Sequence, residues 1–485
     1  MVTGDDYENR LAEYVRKIAE AAIRWQLDDW GFGQEASGGR VGNGEPGGVV
    51  WPPIADGPTA DITYEGETIN PGRDVYQPWF RSIERHFACF KEIPDPKGFD
   101  AGVAAIEKAL TMFTLHGQTD VRNGESGFTP SDGSLTGNIQ VVADALAGQT
   151  SDMVLMYTKT YGPMKMTILF ENLRQAVLVA NCALLAEQKM WHRAREDVIA
   201  LARDAETSFN ARGGESKISP WNCILAVAEA VKELLPKAAN DALNKALPIV
   251  KTATDLLTAN EGGNPDPVPA LDGSSHLEVE DSLVAAIGDL KERIHVAEDL
   301  VHDMSRQMVQ AMRTEGPSPF HIHGSVGLSK KFTDAAAEIR IDVDVLRRVG
   351  TAYVPDVVWV AAKAVDIMMD AAGDGPWERG DWSVGDGGRA RGAFNDLLEV
   401  IYTFVNSSGA EMVEAGSILA EHAGAIGDVD QQIGEHLDET AQEVDEGTPS
   451  GDVSPQLAPQ PGVSADQQYS DDAPIHGRLA SRLGG

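Results

Sequence analysis

Three stretches of this chain repeat apolar side chains at alternating steps of four and three, and that spacing constrains the fold more than any other feature. The longest runs through Phe394, Leu398, Ile401, Val405, Ser408, Met412, Ala415, Leu419, His422, Ile426, Val429, Ile433 and Leu437. An α-helix turns every 3.6 residues, so a mean step near 3.5 keeps one narrow apolar stripe facing a neighbouring helix. A second stripe contains Leu173, Val177, Ala180, Leu184, Glu187, Trp191, Ala194, Val198 and Leu201. A third contains Leu283, Ile287, Leu290, Ile294, Ala297, Val301, Met304, Met308 and Ala311. The expected fold is mostly α: long antiparallel helical hairpins or a bundle, with an irregular Gly/Pro-rich N-terminal segment and a disordered C-terminal tail.

The segments between the stripes divide the chain. Residues 1–30 read as an amphipathic helix with Leu11, Val15, Ile18 and Ile23 near one face. Residues 31–78 are rich in Gly and Pro and allow either a small hairpin or an irregular wrapping. Residues 79–259 form a first helical module, broken at Gly162-Pro163 because proline cannot continue the hydrogen-bond ladder. Its last part, 219–257, suggests short helices packed on the main ones. Residues 260–275 are a linker, and 276–442 a second helical module interrupted near Pro355. From 443 to 485 the chain is polar, with almost no apolar residue, and is expected to be disordered.

Charge limits the partners. Forty Lys and Arg against 75 Asp and Glu leave −35, a field that repels phosphate backbones and anionic lipid surfaces. No nucleic acid is expected as a partner. A salty habitat is a second explanation for the acidity. No run of 18 apolar residues implies an integral membrane segment, and no basic and then apolar leader implies a signal peptide. Cys89, Cys182 and Cys223 are too far apart for a zinc site or a disulfide framework, and Cys182 and Cys223 read as buried free thiols.

Catalytic motifs are absent. His321 and His323 invite a metal reading, but no third and fourth ligands have partner spacing, so a surface loop pair is preferred and no metal or cofactor is expected. "GSVGLSKK" lacks the spacing of a phosphate loop. His422, inside the last stripe, reads as a hydrogen-bonded core histidine.

Between two helical stretches lies "DWSVGDGG" (381–388), a tryptophan in a loop of glycines. A helical hairpin needs a reversal. Gly385, Gly387 and Gly388 permit its backbone angles, and Trp382 can cap the apolar seam. With the helices on either side, residues 356–440 resemble the WXG100/ESX-type helical-hairpin proteins exported by type VII secretion systems. Such proteins carry a W-x-G turn and, beyond the second helix's seam, a Y-x-x-x-D/E signal. Here the turn is Trp382-Ser383-Val384-Gly385, one residue longer, with Trp377 as a second candidate. Asp430 stands where the acid would stand, and Ile426 replaces the tyrosine.

The resemblance implies a non-enzymatic protein, secreted or envelope-associated after synthesis in the cytoplasm. Its partner would be secretion machinery, a paired helical hairpin or a second copy of itself. Trp382, Gly385, Ile426 and Asp430 would be the recognition residues. Residues 144–207 look like a fainter copy, with "LAGQT" at the turn and Trp191 near the signal position. The alternatives are a structural component of a phage or cell-envelope assembly, or a metal-dependent hydrolase built on His321 and His323.

Overall fold

The computed structural model describes residues 4–30, 33–35, 40–42, 61–64, 67–115, 118–122, 125–129, 131–213, 220–234, 270–313, 340–373, 375–379, 384 and 387–445. They are mostly helical, in two compact units, Met1–Ala425 and Ile426–Gly485.

The first unit opens with α1 (Gly4–Asp29), whose Leu11, Val15, Ile18 and Ile23 are all buried. The Gly/Pro-rich stretch contains two short antiparallel hairpins. Gly33–Glu35 pairs with Arg40–Gly42, and Ile62–Tyr64 with Glu67–Ile69. A third hairpin, which the sequence did not announce, pairs Gln118–Arg122 with Glu125–Thr129. Helices α2 (Gln77–Phe87) and α3 (Asp100–Phe113) follow.

Further along the expected first module come α4 (Ser134–Leu146), α5 (Asp152–Tyr161) and α6 (Pro163–Asn210). The break after α4 has a local cause. Gly148 takes a φ of 82°, and the Ser151 hydroxyl accepts from Val154 N at 3.1 Å to start α5. Gly162 ends α5 in extended geometry and Pro163 opens α6, as a proline at the first helical position should.

Helix α6 is the centre of this unit. It packs against α1, α3, α7 (Cys223–Leu234) and α8 (His276–Arg313). The sequence suggested a narrow seam, but Ala176 to Leu184 is buried without a gap. A helix enclosed all round is a core helix. The segment Asp152–Asn210 is long and apolar enough to cross a membrane by composition, yet 72% of its most apolar window is buried inside the protein. Cys182 and Cys223 are buried free thiols and Cys89 is half-buried.

Beyond α8, the expected interruption near Pro355 takes the form of a π-helical turn, Val349–Tyr353, between α9 (Val343–Arg348) and α10 (Val354–Met368). Pro355 itself sits in the first turn of α10, where its missing N–H costs nothing. Helix α10 packs on α3 and α4.

The last stripe lies in α11 (Gly387–Asp445). Phe394, Leu398, Ile401, Val405, Met412 and Leu419 are buried, but the stripe does not stay buried to its end. His422 is exposed, so it is not the core histidine its spacing suggested. In the second unit the described side chains Ile426, Asp428, Gln432, Glu435 and His436 are exposed.

The π-helical turn and α10 approach α11 closely where side chains are missing. A Cβ on Gly416 would stand 3.2 Å from Gly350 Cα, and one on Gly409 would stand 2.7 Å from Val358 Cγ1. A Cβ on Gly350 would collide with the Gly416 carbonyl oxygen.

Candidate functional site

The segment between α10 and α11 is held by three anchors. The first is a tryptophan, but not Trp382, which together with Gly385 lies outside the described residues. Trp377 is 3% exposed. It meets Phe99 edge-on at 5.4 Å between ring centroids and Phe394 at 5.7 Å. Burying a ring of this size is worth ~2–3 kcal/mol. Its Nε1 finds no acceptor, so the indole acts as apolar filling here. The second anchor is Val384, buried, whose N–H donates to Cys89 O at 3.0 Å.

The third anchor is Arg379, and it forms the most unusual chemistry in the molecule. Its guanidinium bonds Glu298 of α8 and lies 3.6 Å from Glu187 of α6. The same group donates from Nη1 to Val384 O at 3.1 Å and covers the ring of Trp191 at 4.5 Å. Trp191 in turn donates from Nε1 to Glu187 Oε1 at 3.0 Å. The side chains of Glu187, Glu298 and Arg379 are 0%, 4% and 7% exposed.

Both carboxylates thus lie against the Arg379 guanidinium in a dry site, where burying like charges side by side is costly. Burial, and then the nearby Glu298 charge, push the Glu187 carboxyl well above the ordinary range, against the pull of Arg379. Glu298 makes the closer contact with Arg379, and Glu187 is the carboxyl whose value is raised. Enclosed on every side, the cluster can fasten a loop to two helices and bind a proton.

The sequence placed Glu187 and Trp191 on the inward stripe of α6, and both are buried there. Trp191, at 0% exposure, is not the accessible signal residue that the fainter hairpin copy would need. Arg379 was missed. It lies in a loop remote in sequence from both partners, and its only signal was its place two residues past Trp377.

A second polar cluster joins Ser82, His86 and Glu280. Ser82 Oγ donates to Glu280 Oε1 at 2.5 Å, and His86 Nε2 lies 3.0 Å from the same oxygen and 3.2 Å from the hydroxyl. A nucleophilic triad uses both ring nitrogens, one for the hydroxyl and one for the acid. Here both partners crowd Nε2, and the arrangement ties α2 to α8. The hydrogen bond from His86 holds the Glu280 carboxyl below its ordinary range.

Asp197 of α6 is 3% exposed and caps α7, accepting from Asn222 N at 2.7 Å and Cys223 N at 3.1 Å. Burial pushes its carboxyl up to about 6 in spite of those bonds.

His321 and His323 lie outside the described residues. Among the described residues no group of three or more His, Cys, Asp or Glu side chains could hold a metal ion. Ile426 and Asp430 both fall in α11, one turn apart, and Ile426 is 37% exposed. Comparison with family models, curated proteins and solved structures finds no match to this chain.

Proposed function

We propose that the chain is a non-enzymatic, partner-binding helical protein of the type VII secretion kind. It would be made in the cytoplasm and act as an exported substrate or an envelope-associated component. One observation carries this reading: the inverse order in which residues of the π-helical turn and α10 meet those of α11. Val354 and Gly350 lie by Gly416, Val358 lies by Gly409, and Trp377 between the helices lies by Phe394. Descending numbers on one helix against ascending numbers on the other are what an antiparallel hairpin with an indole at its bend requires.

Trp377 is buried, so it serves the bend and offers nothing to a reader. Recognition would then fall to Trp382 and Gly385 of the glycine-rich sequence and to the helical pair Ile426 and Asp430. In the pair, exposed apolar area and a carboxylate one turn on would suit a pocket with an apolar floor and a cation.

The test is expression in an actinobacterial host with a working type VII system and in the same host lacking its secretion ATPase. The protein is expected in the medium of the first alone. Ile426→Asp and Asp430→Lys are expected to keep it in the cell, with His321→Ala exported normally. Wild-type protein retained by both hosts, or released equally by both, would overturn the proposal.

A further inference from the structure

The charge of −35 makes any local excess of cations conspicuous, and one stands between α8 and α11. A cleft of about 710 Å³ is lined by His302, Arg306, Val309, Gln310, Arg313, Ala393 and Asp396. The five residues from α8 follow steps of four, three, one and three, so they form a single stripe along one face.

Arg306 and Arg313 are exposed, and among the described residues neither has an ion-pair partner. This is notable where acids outnumber bases almost two to one. Asp303, three residues before Arg306, is turned to His302 Nδ1 at 3.0 Å. Asp299 is taken by Arg389 at 3.0 Å. Among the described residues the carboxylate lining the cleft is Asp396, set against two guanidiniums.

We propose that this cleft docks an acidic amphipathic helix of a protein partner. The spacing selects the ligand. Arg306 and Arg313 are seven residues apart, so their backbones are separated by ~10.5 Å along the helix. Set two helical turns apart on one face, the two guanidiniums suit two separate acids. That spacing is the repeat at which a second helix, laid alongside, presents two residues on the same face. The ligand therefore carries acids seven residues apart, with apolar residues between them to cover Val309 and Ala393.

The field of the whole chain opposes such a ligand, so distance decides the outcome. At physiological salt, charges beyond ~8 Å are largely screened, whereas the two arginines act in contact. The affinity is therefore expected to pass through a maximum as salt rises, with the general repulsion screened first and the contacts later.

The probe is a synthetic helical peptide with two Glu seven residues apart and Leu between them; its control has Gln at both Glu positions. Binding to the purified full chain is followed by fluorescence anisotropy. The Glu peptide is expected to bind at least about tenfold tighter than the control, a difference of ~1.4 kcal/mol. Arg306→Glu with Arg313→Glu is expected to abolish that preference, and Arg347→Glu, elsewhere on the surface, to leave it intact. Thermal melts are expected to show both variants folded.

Equal binding of the two peptides, retained preference in the double variant, or no binding up to ~1 mM would overturn the proposal. So would displacement of the peptide by millimolar inorganic phosphate, which would mark a small-anion site. The measurement uses purified protein and no secretion host, so it can fail or succeed independently of the export reading.

Discussion

Arg379 draws together a loop and two helices by a single guanidinium, and its removal separates two roles that buried acids can play. Arg379→Met takes the guanidinium away from the buried Glu298 carboxylate, and breaking a buried pair in this way costs ~3–5 kcal/mol. Glu187→Gln keeps an oxygen for the Trp191 Nε1 donor and replaces a carboxyl whose neutral form burial favours, so it is expected to cost under ~1 kcal/mol. Urea denaturation of both variants at neutral pH ranks them, and the reverse order would show Glu187 to be the ionised partner. Asp197 gives a sharper test. Its carboxyl titrates at about 6 in the folded protein against an ordinary 3.8. A raised folded value means a contribution to stability that is complete below the ordinary value and lost as pH rises through the folded one. Two units correspond to ~3 kcal/mol. Asp197→Asn, which cannot ionise, is expected to gain on the wild type by about that much between pH ~4 and ~7. Paired denaturation curves across that window check it, and a constant difference would refute it.

At the scale of elements, the long helices were legible because burial of a stripe needs a period, and a period survives in sequence. Leu283 to Met308 on α8 and Leu173 to Leu201 on α6 lie inward where the spacing put them. The wide burial of α6 was not legible. How many neighbours a helix has depends on other segments, here α1, α3, α7 and α8. For the same reason the packing of Trp377 was not legible, since it depends on Phe99, far away in the chain. His422 shows the converse failure, a position on the stripe with nothing packed over it. Glycines within these helices divide by their surroundings. Gly350→Ala places a methyl against the Gly416 carbonyl, and overpacking of this kind costs ~1–3 kcal/mol. Gly288, inside α8, has open space where a Cβ would stand, so Gly288→Ala is expected to stabilise by ~1 kcal/mol through helix propensity. Thermal unfolding that moved both variants in one direction would contradict the packing described for α10 and α11.

For the molecule as a whole, two effects that usually oppose each other in acid act together over one pH range. The charge of −35 favours expansion through self-repulsion, and proton uptake toward the pI near 4.6 relieves it. Acid normally destabilises by protonating carboxylates that the fold has paired. Here Glu280, Glu278 and Asp74 have lowered values and do contribute in that sense, their stabilisation being lost as pH falls below the ordinary carboxylate range. Glu187 and Asp197 are raised by burial and work the other way, gaining stability as pH falls through their folded values. The loop anchored by Arg379 is therefore held most firmly on the acid side of neutrality. The melting temperature at constant ionic strength is expected to rise as pH is lowered from 8 to about 6, and to fall again below ~4.5 as the paired acids are protonated. Added salt is expected to raise it at pH 8 more than at pH 5, because screening matters most where the net charge is largest. A melting temperature that climbed steadily from pH 6 to 8 would mean that Glu187 and Asp197 are stabilised as anions, and the buried cluster would then have to contain a second cation.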